Sequence, residues 1–486
     1  MLKFYSVNNC RIFRKNILWK GGVFMNISTD LEANKLHFDA LFCTERNFDL
    51  KKKELAFAGK SAVLYMIDGF LRSDVLERIL AEFTVLKTGD ADSEKEFFEN
   101  HIPFAGVSTE SDDKEIVTAV LSGRTVLMVD GFANAFVFEL RNYPQRDNAE
   151  PDRDKVLRGS RDGFTETMLF NAALIRRRIR DCDLSIEYQS IGTYSKTDVA
   201  LCYLSGKVDK TMLNDVRTKI KTSKIEALTM SQEDMANVIN GKQRWNPFPK
   251  YKFTERPDVA VAQIMQGDLI VLVDNTPTAM IMPATIFDIA EDANDYYFPP
   301  LTGAYLRITR ILTMIVTLFV TPVWLLALEY PEFVPEMFRF VLVTENQNIP
   351  IVWQLLILEF VIDGLKLSSL NPPGMLSSTF SIIAGIIVSD FAVKSGWFAS
   401  ETMLYMAFVA MANYSQPGYE LGYAIKFMRM FMLVGTAIFG IWGFLGGIAL
   451  TVYLLLSTKI HGKEGYFSPI IPFSPKGIAK LLFRLK

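Results

Sequence analysis

Hydrophobic and polar positions follow two different rhythms along this chain, and the change comes near residue 306. Upstream, short β-rich runs alternate with amphipathic stretches of helical period. Ala62–Ile67 ends at Asp68-Gly69, Ser73–Leu86 has helical spacing behind a serine cap, and Thr125–Val129 is again β-rich. Downstream the apolar runs lengthen. Ile308–Leu328 is 21 residues with one ionisable group, Arg310, near its start, enough to cross a hydrocarbon core of about 30 Å. Ile351–Leu370 and Ser378–Gly396 are almost as apolar, yet they hold Glu359, Asp363, Lys366, Asp390 and Lys394. The pattern predicts a soluble α/β region followed by an all-α polytopic membrane domain.

The soluble part contains a repeat. The helix-like Glu115–Ser122 leads to Gly123, then TVLMV, Asp130 and a second strand at Phe136–Leu140. The helix-like Asp258–Gln266 leads to Gly267, then LIVLV, Asp274 and a strand at Ala279–Met282. In both copies the glycine precedes the aspartate by seven residues, and the dipeptides Asp130-Gly131 and Asp274-Asn275 suit a hairpin. Two related α/β subdomains are expected, over residues 46–145 and 146–300. They would follow an N-terminal segment, 1–45, and precede the transmembrane helices of 301–458 and a basic tail, 459–486. Helix, glycine, strand and turn also form a common unit, so unrelated units are the alternative.

Between the copies the charge density peaks. Arg158-Gly159-Ser160-Arg161-Asp162-Gly163 reads as a turn-rich loop, and a helix opens near Phe164. Its apolar stripe, Phe164, Met168, Ala172, Ile175 and Ile179, leaves Arg177, Arg178 and Arg180 on or near the open face. These five arginines are a candidate cytosolic contact for a phosphate, an acidic partner or anionic lipid. The plainer reading is a solvated face with ion pairs to Asp162 and Glu166.

Charge supports the two-solvent division. Residues 1–300 carry 83 of the 106 Asp, Glu, Lys and Arg residues, with net charge −5, and residues 301–486 carry 23, with net charge +3. That balance argues against nucleic acid as a partner. Cys10, Cys43, Cys182 and Cys202 form no CxxC and have no metal-ligand spacing to His37, His101 or His461, so they read as reduced thiols, with no metal or cofactor implied. Gly59-Lys60-Ser61 fails as a phosphate loop because Glu54 stands where the first glycine belongs. Three histidines without a Ser or Cys partner give no triad, and no enzyme is expected. The basic N-terminus lacks the apolar run and cleavage site of a secretory signal, which keeps the first domain cytoplasmic. Lys20-Gly21-Gly22 is encodable as a ribosome-binding sequence just upstream of Met25, so Met25 is an expected alternative start.

Within the membrane part, Glu359, Asp363 and Lys366 share one helix face at i, i+4 and i+7. Lys366 is near enough to the span's end to snorkel and to pair with Asp363, whereas Glu359 needs water or a residue from another helix. A wetted or subunit-contact role and a polar bridge inside the bundle both satisfy it. Ser378, Ser381, Gly385, Ser389, Ala392 and Gly396 form a small-residue stripe suited to close packing or to a narrow aqueous path. Asp390 lies beside it. Candidate ion-path residues are therefore Glu359, Asp363, Ser378, Ser381, Gly385, Ser389 and Asp390.

The remaining segments read as scaffold. Pro322 is placed to kink the first span, and Gly440, Gly443 and Gly447 supply a packing face on a last helix, Met430–Leu456. The acidic loop 329–350 is expected outside, and the basic tail inside. Cytoplasmic ends need an even number of crossings, so of five apolar segments the short one near 403–416 should not cross. Ile478, Leu481, Leu482 and Leu485, interleaved with basic residues, suit a short helix on an anionic membrane surface.

RGSRDGFTETMLFNAALIRRRIRD (158–181), WNPFPKYKFTERPDVAVAQIMQGDLIVLVDNTPTAMIMP (245–283), AVKSG (392–396) and QPGYELGYAIKFMR (416–429) resemble the GerA family of spore germination membrane proteins. The resemblance covers nearly everything after about residue 45. It implies a cytosolic two-part domain and a multi-pass membrane domain in the spore inner membrane, homo-oligomer formation, contact with other germination membrane proteins, and passage of ions during germination. Where relatives usually have glycine, glutamine and, four residues on, glutamate, this chain has Ser389, Asp390 and Lys394, so ion preference does not carry over.

Overall fold

Strand-forming runs with apolar residues at every position belong in the middle of a sheet covered on both faces, and three such runs fix the plan of the N-terminal region. The computed structural model describes residues 26–102, 104–143, 159–241, 245–343, 348–370, 393–458, 460 and 465–483. They fall into two units, Met1–Lys242 with Phe253–Pro283, and Gln243–Lys252 with Ala284–Lys486.

In the first unit the order is α1 (Leu31–Phe42), β1 (Leu50–Phe57), β2 (Lys60–Ile67), α2 (Ser73–Val85), α3 (Glu94–Asn100), β3 (Val107–Glu110), α4 (Asp113–Leu121), β4 (Thr125–Val129) and β5 (Ala135–Phe138). The same succession then repeats as α5 (Met168–Arg178), β6 (Leu184–Ile191), β7 (Thr197–Leu204), α6 (Lys210–Thr222), α7 (Gln232–Asn240), β8 (Lys252–Thr254), α8 (Pro257–Gln266), β9 (Leu269–Val273) and β10 (Ala279–Met282). The sheets have matching orders, β1-β2-β4-β5-β3 and β6-β7-β9-β10-β8. Both central pairs, β2 with β4 and β7 with β9, run antiparallel. Apolar side chains cover both faces of the first sheet. Val63, Tyr65 and Val126 pack with Phe38 and Ile116, while Leu64, Leu127 and Phe136 pack with Phe83 and Phe97. In the second sheet, Ala200, Cys202, Ile270 and Leu272 pack with Leu174, Ile175 and Ile264.

The repeated glycine and aspartate have the same jobs in both copies. Gly123 and Gly267 leave their helices at φ +91 and +110, where a side chain is strained. Seven residues on, the Asp130 carboxylate accepts from the Leu31 amide at 3.3 Å, and Asp274 from the Met168 amide at 3.0 Å. Each aspartate thus caps the first helix of its own copy. Asn34 and Asn171 brace the approach to those helices, accepting from Ser28 N and Thr165 N and donating to the same residues' carbonyls. These matches carry the first copy back through α1, ahead of residue 46. At the helix near residue 73, the serine is the first helical residue and Arg72 occupies the cap position without a side-chain bond.

The copies are joined through residues 46–49. Phe48 N donates to Ile186 O, and Asn47 accepts from Ile186 N. Asp49 meets Arg176 at 2.8 Å, both side chains being within 1% of complete burial.

In the second unit, α9 (Ile286–Ile289) and α10 (Asn294–Tyr297) precede α11 (Pro300–Glu329), α12 (Ile351–Leu370), α13 (Ser400–Tyr414), α14 (Tyr419–Phe439), α15 (Ile441–Ser457) and α16 (Pro475–Phe483). Among the described residues α11 and α14 are long and apolar enough to cross a membrane. In the first half of α11, Arg310 pairs with the buried Asp295 at 2.7 Å. The 15 residues of α13 reach about 22 Å at 1.5 Å per residue, short of a hydrocarbon core.

Two expectations change here. The single last helix, Met430–Leu456, is an antiparallel hairpin broken at Gly440, whose φ is +58. Gly443 and Gly447 do supply a packing face, but against their own hairpin partner: a Cβ on Gly443 would overlap the Gly435 carbonyl, and one on Gly447 would overlap Met432. The apolar side of α16 is also partly spent on protein. Leu481 packs against the cluster containing Leu421 and Ile425, and its carbonyl accepts from Arg307 at 2.7 Å.

Candidate functional site

Glu359 lies in the third turn of α12, in a segment whose other neighbours are apolar, and it is 2% exposed. Its partners come from α14. Arg429 donates from Nε to the Glu359 carboxylate at 2.8 Å and from a terminal nitrogen to the same oxygen. Lys426 lies 3.2 Å from the second carboxylate oxygen, donates to the Glu359 carbonyl at 3.0 Å, and reaches Asp363 at 2.5 Å. The remaining Arg429 nitrogen donates to Thr317 O of α11 at 3.3 Å. Three helices therefore meet at one buried ionic centre. Lys426 and Arg429 are three apart, so they project from one side of α14 toward the i, i+4 carboxylates of α12.

Of the two ways to satisfy Glu359, water or a residue from another helix, the described residues supply the second, as a polar bridge inside the bundle. Asp363 is paired with Lys426, and Lys366 is buried against the rings of Tyr414, Tyr419 and Tyr423. Nearby polarity is incomplete. The buried hydroxyls of Thr317 and Thr321, one turn apart on α11, have no hydrogen-bond partner among the described residues, nor does that of Thr402 on α13. Ser378, Ser381, Gly385, Ser389 and Asp390 lie outside the described residues.

The arginine segment resolves into distinct environments. Arg178 donates to both oxygens of Asp162, at 2.6 and 2.7 Å, and to Ser160 at 3.1 Å. Burial opposes ionisation of Asp162, but the bonds from Arg178 and Ser160 outweigh it and hold the carboxyl below its usual range. Arg177 lies over the Tyr143 ring at 4.6 Å, and Arg180 donates to the Tyr143 hydroxyl at 3.3 Å. Arg161 is exposed. Arg158 lies outside the described residues. Arg178 thus follows the ion-pair reading, Arg177 and Arg180 meet Tyr143, and Arg161 is exposed.

Residues 39–486 match the family model described as Bacillus/Clostridium GerA spore germination protein. This chain belongs to the GerA family. Among its relatives, stage V sporulation protein AF of Bacillus subtilis (strain 168) is 31% identical over 440 residues, 90% of this chain and 89% of that protein. The uncharacterized membrane protein YfkQ of the same organism is 26% identical over 463 residues, 94% of this chain and 89% of that protein. The N-terminal domain of the A subunit of the Bacillus megaterium spore germinant receptor GerK3 aligns with 55% of this chain and 99% of its own, at 21% identity and a TM-score of 0.43. As a GerA member the chain is a spore germination protein with a membrane part. Lys426 and Arg429 are the residues of its ionic centre that sequence reading left unassigned. Their legible signal was two cations on an apolar segment, complementary in number and spacing to Glu359 and Asp363.

Proposed function

We propose that this protein is an oligomeric channel subunit of the spore inner membrane that passes ions during germination. The observation that carries the reading is the polar seam inside an apolar helical unit: Glu359, Asp363, Lys426 and Arg429, with the buried hydroxyls of Thr317 and Thr321, which have no hydrogen-bond partner among the described residues. Ionised groups at membrane depth cost several kcal/mol unless paired or wetted, and they are functional-site candidates by default. Buried hydroxyls without protein partners favour water in the same seam. In this reading α12 and the segment holding Ser378, Ser381, Gly385, Ser389 and Asp390 line the path. The loop 329–350 is external and the tail cytoplasmic. Homo-oligomerisation and contacts with other germination membrane proteins complete the conducting assembly, and Arg161, Arg177 and Arg180 offer a cytosolic contact.

A second reading, a receptor or scaffold subunit without its own conduction path, is favoured by one specific feature. Both oxygens of Glu359 are engaged by cations of α14, as a purely structural bridge requires. Reconstitution of the full-length chain into liposomes separates the two. Potassium flux is expected from the parent, with a severalfold change in Glu359→Gln and in Asp390→Asn. Absence of conductance in every oligomeric form would sink the channel reading, and unaltered flux in both variants would reject these residues as path-lining.

A further inference from the structure

Near the end of α12, one turn beyond Asp363, the Lys366 ammonium is buried beneath aromatic rings. Its Nζ lies 4.5 Å from the ring centroid of Tyr423, 4.8 Å from that of Tyr419 and 5.8 Å from that of Tyr414. The rings come from the end of α13 and the start of α14, so the short turn 415–418 sets their spacing. Tyr414 and Tyr419 are each more than half exposed, which leaves the mouth of the enclosure open while its floor is buried. A second observation comes from the same turn. Gln416 is more than nine-tenths buried, and neither its amide oxygen nor its amide nitrogen has a hydrogen-bond partner among the described residues. Three rings converging on one nitrogen form the recognition geometry of ammonium groups. A lysine at the end of a span needs no such enclosure, because its stem is long enough to carry the charge to water.

We propose that Tyr414, Tyr419 and Tyr423 form a binding site for small organic ammonium ions, and that Lys366 is its built-in occupant. Each ring attracts a cation through its electron-rich face, most strongly where water is excluded. The flexible four-carbon stem of lysine allows Lys366 to leave through the open mouth when another ammonium arrives. Until it leaves, a tethered competitor acts at an effective concentration of millimolar order or above, so an external ion binds weakly to the parent protein. The proposal concerns ligand binding alone and holds whether or not the protein conducts.

The test is calorimetric titration of the full-length, detergent-solubilised chain with methylammonium and tetramethylammonium chloride, against sodium chloride at equal ionic strength. Lys366→Met is expected to tighten ammonium binding by at least about tenfold, because the competing state is removed. In that background Tyr423→Phe should retain binding, whereas Tyr423→Leu and Tyr419→Leu, which keep bulk without an aromatic face, should abolish it. Thermal unfolding of each variant confirms that the fold is intact. Lys366→Met binding no tighter than the parent would overturn the proposal, as would binding that survives both leucine substitutions.

Discussion

Two buried ionic centres, one in each unit, are built from the same chemistry and differ in closure. In the α/β unit, Arg176 gives Nε and one terminal nitrogen to Asp49 and the other terminal nitrogen to the carbonyls of Asp181 and Leu184. One cation meets one anion, and the guanidinium is satisfied on all sides. In the helical unit, Lys426 meets both Glu359 and Asp363 and Arg429 pairs with Glu359, while the buried hydroxyls of Thr317 and Thr321 have no hydrogen-bond partner among the described residues. A closed pair holds two copies of a fold in register. A branched centre with unmet polar atoms does more than packing requires, and there a functional reading is warranted.

Removing one partner is expected to have the largest effect and to be similar at both centres. Arg176→Met leaves Asp49 buried without its cation and should cost about 3–5 kcal/mol, seen as faster hydrogen exchange in β6 and a lower unfolding temperature. Replacing both partners divides the centres. Asp49→Leu with Arg176→Met should recover most of that stability, since an apolar pair of similar volume is often neutral or better. Glu359→Leu with Arg429→Met should likewise fold but lose its ion flux, and unchanged flux would erase the distinction between the centres.

Packing in the helical unit is tested next. Gly443→Ala must push α15 away from the Gly435 carbonyl, at a cost of about 1–3 kcal/mol, read as loss of thermal stability. The duplication is sharpened by its caps. Asp130→Ala and Asp274→Ala should each cost about 1 kcal/mol, and a large inequality in urea unfolding would show that the copies have diverged in use.

The smallest effect is electrostatic. The pKa of Asp162 lies below its ordinary 3.8 in the folded chain, so its pair with Arg178 contributes fully above about pH 4. That contribution is lost as pH falls through the lower native value. For a half-buried pair it amounts to about 0.2–1 kcal/mol. A parent and an Asp162→Asn variant should therefore differ in stability at pH 6 and converge toward pH 2.

Local signals were legible where one residue type does one job. The glycine and aspartate seven residues apart were readable as a repeat because each copy needs the same left-handed exit and the same helix cap. Periodicity found β4 and β10 at their observed bounds, Thr125–Val129 and Ala279–Met282. It missed the break at Gly440, because glycine in an apolar run signals close packing and reversal equally well. It also missed Arg176, which is fully buried against Asp49, whereas Arg177 and Arg178 are half-buried and Arg180 is exposed.

By itself, the sequence determined where short apolar runs give way to long ones, which runs are strands or helices, and that carboxylates lie within apolar helices. Those properties depend on neighbours along the chain, through backbone preference and the period of burial. Tertiary structure alone decided which charges meet. Glu359 and Arg429 are 70 residues apart, and Asp49 and Arg176 are 127 apart. Coulomb attraction and desolvation depend on distance in space, so packing decided that Arg176 closes a joint, that Glu359 joins a branched centre, and that Lys366 lies among three tyrosines.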